Sequence, residues 1–256
     1  MWKKLGILGA CGSMLMLLYS CGGGGGGTYV TSNITRSNNG NFSTDAKTLA
    51  VRIANGPWLS AAKAAMFDTD LAHIRQQYSQ VTNIHARGDY TLNDMVIAVD
   101  LKAPWRTNWE KGTLTTGDTS LDGILTTYGA ASVKSFLSDN SSETFDVTFD
   151  TSLNTRALAA IFQAASKNIV YAEADGYIGD GDNITFEQDV NQKKYVFSHG
   201  WGDCSAGCID RHYWTFTLTS DGSLALQESG TPLPPDGGKV APAAERPTHA
   251  DLLRKR

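Results

Sequence analysis

The chain has 256 residues, of which 41% are hydrophobic, 19% charged and 9% aromatic, and Lys+Arg 22 against Asp+Glu 26 leaves a net charge of −4. That is enough apolar material for a core of one or two domains, and it excludes a collagen-like, fully disordered or multi-span membrane protein. The acidic balance argues against a nucleic-acid partner, because phosphate binding needs a basic surface; the basic end Arg254-Lys255-Arg256 reads as a solvated terminus.

Lys3 and Lys4 precede an apolar stretch from Leu5 to Leu18. It is too short to span a bilayer and suits the core of a signal peptide over residues 1–20. It ends in Leu18-Tyr19-Ser20-Cys21, which resembles the lipobox of bacterial lipoproteins, with Tyr19 where a small residue is more usual. The resemblance implies cleavage before Cys21, acylation of its thiol with a palmitate-type anchor, and a place in the cell envelope with the membrane as partner. In a Gram-negative cell it implies the outer membrane, since Gly22 and not an aspartate follows the cysteine. The alternative is an ordinary secretory signal cut nearby. Six glycines, Gly22 to Gly27, cannot pack side chains and act as flexible coil. With the Ser-, Thr- and Asn-rich stretch after them they read as a tether over residues 21–47.

A single α+β domain is expected over 48–229. After Pro57, Ala64, Phe67, Leu71, Ile74 and Tyr78 fall at helical spacing and predict one amphipathic helix with a core-facing stripe. Met95 to Val99 is a continuous apolar run, as in a buried strand. Asp118 or Ser120 is placed to cap a helix carrying Leu121, Ile124, Leu125 and Tyr128, which Gly129 ends. Val133 to Leu137 reads as a strand, and Phe145, Val147 and Phe149 alternate with polar residues as in a half-buried one. Ser152 or Asn154 caps a helix with Leu158, Ile161, Phe162 and Ala165 on one face, and Ile169 to Ala172 returns as a strand. Strand, helix, strand, strand, helix, strand over 95–175 is the order of a ferredoxin-like split βαβ sheet with two helices. The passage from Leu158 into Ile169-Val170-Tyr171-Ala172-Glu173-Ala174-Asp175 resembles the end of subtilisin-type propeptides and their inhibitor relatives. That resemblance implies a protease-inhibitor or chaperone-like module. Too few residues follow for a subtilisin catalytic domain.

From 194 to 228 the sequence turns to β-hairpin grammar: Tyr195-Val196-Phe197, then Tyr213 to Leu218, then the Asp221-Gly222 turn into Leu224-Ala225-Leu226. Five prolines after 230, with Gly237-Gly238, predict a disordered tail over 230–256.

The loop between the first two strands of that hairpin region concentrates the candidate chemistry. With Cys11 lost in the signal and Cys21 acylated, Cys204 and Cys208 remain as a pair, and in an exported protein a disulfide is the favoured state. Zinc held by His199, Cys204, Cys208 and His212 is a second reading, with the right ligand types but an unusual spacing; free or redox-active thiols are a third. The stretch resembles Gly-Trp-Gly-Asp-Cys loops of uncharacterised exported bacterial proteins, which brings no activity with it. His199, Trp201, Asp203, Arg211, His212, Tyr213 and Trp214 form a candidate binding loop, the aromatics serving either recognition or simple packing. Asp175, Asp180 and Asp182 supply carboxylates of the kind found in extracellular calcium sites, but the full calcium-loop pattern is missing and a polar turn serves equally. No hydrolase or nucleotide-binding motif is present, and a Ser205–His–Asp arrangement within one loop would be unusual. The expectation is a lipid-anchored envelope protein with a non-catalytic binding or structural role and a protein partner, requiring no cofactor. The alternative is a metal- or loop-histidine-dependent hydrolase.

Overall fold

The computed structural model describes residues 41–235 and 247–254. The signal peptide, Cys21, the glycine run and residues 236–246 of the tail lie outside the described residues. Among the described residues no helix is long and apolar enough to cross a membrane.

The fold is α+β, with two four-stranded antiparallel sheets. Two helices lead, α1 (Thr44–Arg52) and α2 (Ala61–Gln77). Ala64, Phe67, Leu71 and Ile74 of α2 are buried, as their spacing predicts. Helix α1 begins inside the predicted tether, which therefore ends earlier than 47. Ser43 caps it by accepting from the Ala46 amide, and Ala46, Leu49, Ala50 and Val51 are buried. Three of these four lie beyond the Ser/Asn-rich stretch, so composition hid the start of the helix.

The first sheet contains β1 (Tyr90–Asp100), β2 (Ala130–Ser138), β3 (Ser142–Phe149) and β4 (Ile169–Gly176) in the spatial order β2-β3-β1-β4. That is the ferredoxin-like order expected from the alternation of elements. The short α3 (Arg106–Glu110), α4 (Thr119–Tyr128) and α5 (Thr155–Ala165) supply the crossovers. Asp118 caps α4, Asn154 caps α5, and Gly129 closes α4 at φ 72° in the left-handed region, which favours glycine. Met95, Ile97, Val99, Phe145 and Val147 face these helices around fully buried Trp109.

The second sheet is a meander in the order β5-β6-β7-β8, with β5 (Asn183–Gln188), β6 (Gln192–Trp201), β7 (Asp210–Thr219) and β8 (Leu224–Gly230). Strand β5 extends the expected hairpin; Ile184 is buried and Phe186 packs on the same core. Helices α1 and α2 cover one face of this sheet, with Phe67 against Phe186 and Tyr195.

The end of the predicted tail is ordered. Residues 249–253 form α6 (His249–Leu253), opened by a Thr248–Asp251 capping box. The Ala250 amide donates to Asp175 Oδ1 at 3.0 Å, Thr248 bridges to Tyr177, and Arg254 pairs with Asp146. The proline-rich composition carried no sign of this, because the docking depends on carboxylates far away in the sequence.

Candidate functional site

The disulfide-bearing loop joins β6 to β7. In the register Phe197 pairs with Trp214, His199 with His212 and Trp201 with Asp210. Side chains alternate along a strand, so Trp214 and His212 share the face of Phe197 that looks into the core. Trp214 is 3% exposed and belongs to the core under α1 and α2. His212 is also buried; Nδ1 lies 3.0 Å from the Thr231 carbonyl, Nε2 lies 3.3 Å from Glu228, and the ring meets Trp214 edge-on. These two residues are therefore packing residues and not part of a binding surface. Arg211 is also committed internally: it donates to Asp180 at 2.7 Å, to the Gly181 carbonyl and to Ser198 Oγ. His199 sets Nδ1 2.7 Å from Asp182 and stacks on Trp201. The outward part of the candidate loop reduces to Asp203 with half-buried Trp201 and Tyr213. Ile209, which the sequence reading passed over, is 76% exposed.

Cys204 and Cys208 are joined in a disulfide. The bridge lies close over β6: a Cβ on Gly200 would sit 2.6 Å from Cys208 Sγ, so only glycine leaves room there. The 179–183 segment latches the loop from the other side. Asp180 N–H donates to the Cys204 carbonyl, and the Cys208 amide donates to Asp180 Oδ2 at 3.2 Å. Burial pushes the Asp180 carboxyl up, but the Gly181 amide, Arg211 and the Cys208 amide outweigh it, so its pKa lies below the ordinary value.

These contacts correct the metal readings. The zinc set loses both thiolates to the disulfide. The calcium set does not converge: Asp175 faces α6, Asp180 is held by Arg211 and Arg87, and Asp182 is bonded to His199. Among the described residues no group of three His, Cys, Asp or Glu side chains is arranged to hold a metal ion. The catalytic arrangement is not assembled within the loop either, since Ser205 Oγ donates to Asp203 while His199 turns to Asp182.

A second site was not anticipated. A cleft of about 320 Å³ opens between α1 and the first turn of α5, bordered by Arg52, Asp89, Tyr90, Leu92, Asn154 and Arg156. It lies at the seam of the two cores, since Val51 belongs to one and α5 to the other. Tyr90 Oη donates to Asn154 Oδ1 at 2.8 Å, and the Arg156 guanidinium lies 4.6 Å above the Tyr90 ring. Burial raises the Tyr90 hydroxyl pKa, so the phenol stays a neutral donor. The only sequence signal was an arginine two residues after a helix cap, too common to single out.

Compared with protein-family models, curated proteins and solved structures, the chain matches none of them.

Proposed function

We propose that this chain is a lipid-anchored protein of the bacterial cell envelope with a non-catalytic binding or structural role, and that it meets a protein partner through the disulfide-closed end of the meander. The bonded Cys204–Cys208 pair carries the reading, because such bridges persist outside the reducing cytoplasm. The lipobox-like Leu18 to Cys21 and the glycine run support an anchor and tether. Exposed Ile209, in the disulfide-closed loop next to the last register pair Trp201–Asp210, supports a contact point there.

A narrower version, a propeptide-like protease inhibitor, draws support from the strand order β2-β3-β1-β4. Against it, α6 and Arg254 lie on the sheet face that carries Asp146 and Asp175, opposite the helices.

Expression of the full chain in a bacterial host with labelled palmitate tests the anchor. Wild type should take up label and enter the detergent phase on phase partition, and Cys21→Ala should do neither. An unlabelled, aqueous wild-type protein would overturn the anchor. Assay against a panel of subtilisin-type proteases tests the narrower version, which falls if none is inhibited.

A further inference from the structure

We propose that the cleft between α1 and α5 binds a small organic carboxylate, a monoanion with an apolar body, with Arg156 as its anchor. This does not depend on the lipid anchor or on the disulfide loop.

The volume, about 320 Å³, is at the small end of small-molecule sites, and seams between packed units are where such sites are found. The charge in the cleft is unevenly committed. Arg52 spends its donors on the carbonyls of Ile184 and Arg87 and on Asn183 Oδ1, so it contributes positive field and not a free hydrogen-bonding edge. Arg156 differs. It is an exposed residue whose guanidinium lies over the Tyr90 ring, and among the described residues it has no carboxylate at ion-pair distance. The cation–π contact with Tyr90 uses none of its N–H donors, and a guanidinium can bind a carboxylate through two parallel hydrogen bonds. Arg156 is also the second residue of an eleven-residue helix whose cap, Asn154, satisfies the Ala157 amide. The positive end of that helix therefore borders the same cleft as the guanidinium.

Two further features narrow the ligand. Leu92, Val51 and Ala54 give the cleft an apolar wall suited to a hydrocarbon or aromatic body. Exposed Asp89 at the rim opposes negative charge, and it penalises a dianion more than a monoanion. A phosphate dianion would meet that repulsion without using the apolar wall.

The test is a nuclear magnetic resonance titration of the full chain with benzoate, with inorganic phosphate in a parallel arm, at constant ionic strength. Benzoate should produce saturable shifts at the amides of Thr48, Asn154, Arg156 and Ala157. Arg156→Gln should weaken it by about tenfold or more, Arg156→Lys should fall between, and Asp89→Asn should tighten it severalfold. Both positions are exposed, so the variants should keep wild-type spectra elsewhere. Absence of shifts in the cleft, equal binding by Arg156→Gln, or tighter binding of phosphate than of benzoate would each overturn the proposal.

Discussion

The ferredoxin-like half and the meander half are both four-stranded sheets under helices, but they are closed in different ways. In the first, α3, α4 and α5 lie between the strands they cover, and the core under them is almost wholly apolar around Trp109. In the second, the covering helices α1 and α2 precede the sheet by a full sheet's worth of chain. Buried polar contacts register them on it. Asp70 of α2 accepts from Tyr195 Oη and Lys193 Nζ of β6, across sequence separations above one hundred residues. Arg52 of α1 donates to the Ile184 carbonyl and to Asn183 Oδ1 of β5, while Asp45, 3% exposed, ties α1 to Arg75 of α2 at 2.6 Å and to the Ala86 amide at 2.8 Å and His85 Nδ1 at 3.0 Å in the segment before β1. In the first half local chain order delivers the helices onto an apolar core, with Arg106 of α3 paired to buried Glu143 of β3 as an added directional contact; in the second, directional contacts help to place helices that the chain does not deliver locally.

The sharpest way to break this comparison is Trp109→Ala. Trp109 is fully buried and its indole donates to the Leu114 carbonyl, so truncation should cost about 3–5 kcal/mol in urea unfolding. Hydrogen exchange should speed up more in β1–β4 than in β5–β8. Equal loss across both sheets would mean that they unfold as one unit and that the distinction has no thermodynamic content.

Asp70→Ala tests the other half. It should cost about 3 kcal/mol, because it strands the buried Tyr195 hydroxyl and unpairs Lys193. Burial first, and then the bond to Asp70, raise the Tyr195 pKa, so the phenol is a neutral donor throughout the accessible range. The double variant Asp70→Ala with Tyr195→Phe should cost less than the sum of the single changes, and strict additivity would show that the contact does not register the helix.

Replacing Cys204 and Cys208 by serine should cost about 2 kcal/mol, since the closed loop is short. Faster exchange should be confined to the 199–212 end of the meander. Loss of protection in α2 would mean that the bridge supports the whole half.

The smallest effect is a pH dependence belonging to the ferredoxin-like half alone. Burial lifts the Asp146 carboxyl from 3.8 to about 6, with Arg254 only partly opposing it. A folded-state pKa above the unfolded one gives stability that is full below about pH 4 and is lost as pH rises through about 6. Solvent screening beside half-exposed Arg254 limits the loss to about 1 kcal/mol. Melting temperatures of wild type and Asp146→Asn, compared between pH 4 and 6, should diverge as wild type weakens; parallel curves would contradict the assignment.

Most of the ferredoxin-like half was legible because its signals are local. The caps Asp118 and Asn154, the stop at Gly129 and the alternation through Phe145, Val147 and Phe149 each sit beside the element they define. Strand β5 alternates Ile184 and Phe186 just as plainly, but the acidic run before it drew the reading toward a calcium loop. Of the candidate binding loop, the cysteine pairing was legible from the count of cysteines and the expected compartment. The orientation of its aromatics was not, because an alternating strand has two faces and the sequence does not say which one a helix will cover.

The amino-acid order alone thus carried α2, the main helices and strands of the ferredoxin-like half with their strand order, the hairpin strands, and a disulfide as the favoured state of Cys204 and Cys208. These rest on periodicity, capping and elimination, which act over a few residues or over a count. Tertiary structure decided that His212 and Trp214 face inward, that Asp175, Asp180 and Asp182 part toward α6, Arg211 and His199, and that Arg156 lies over the Tyr90 ring beside a cleft. Each of those outcomes depends on which distant element arrives to bury, pair or leave open a side chain, and no local spacing encodes that arrival.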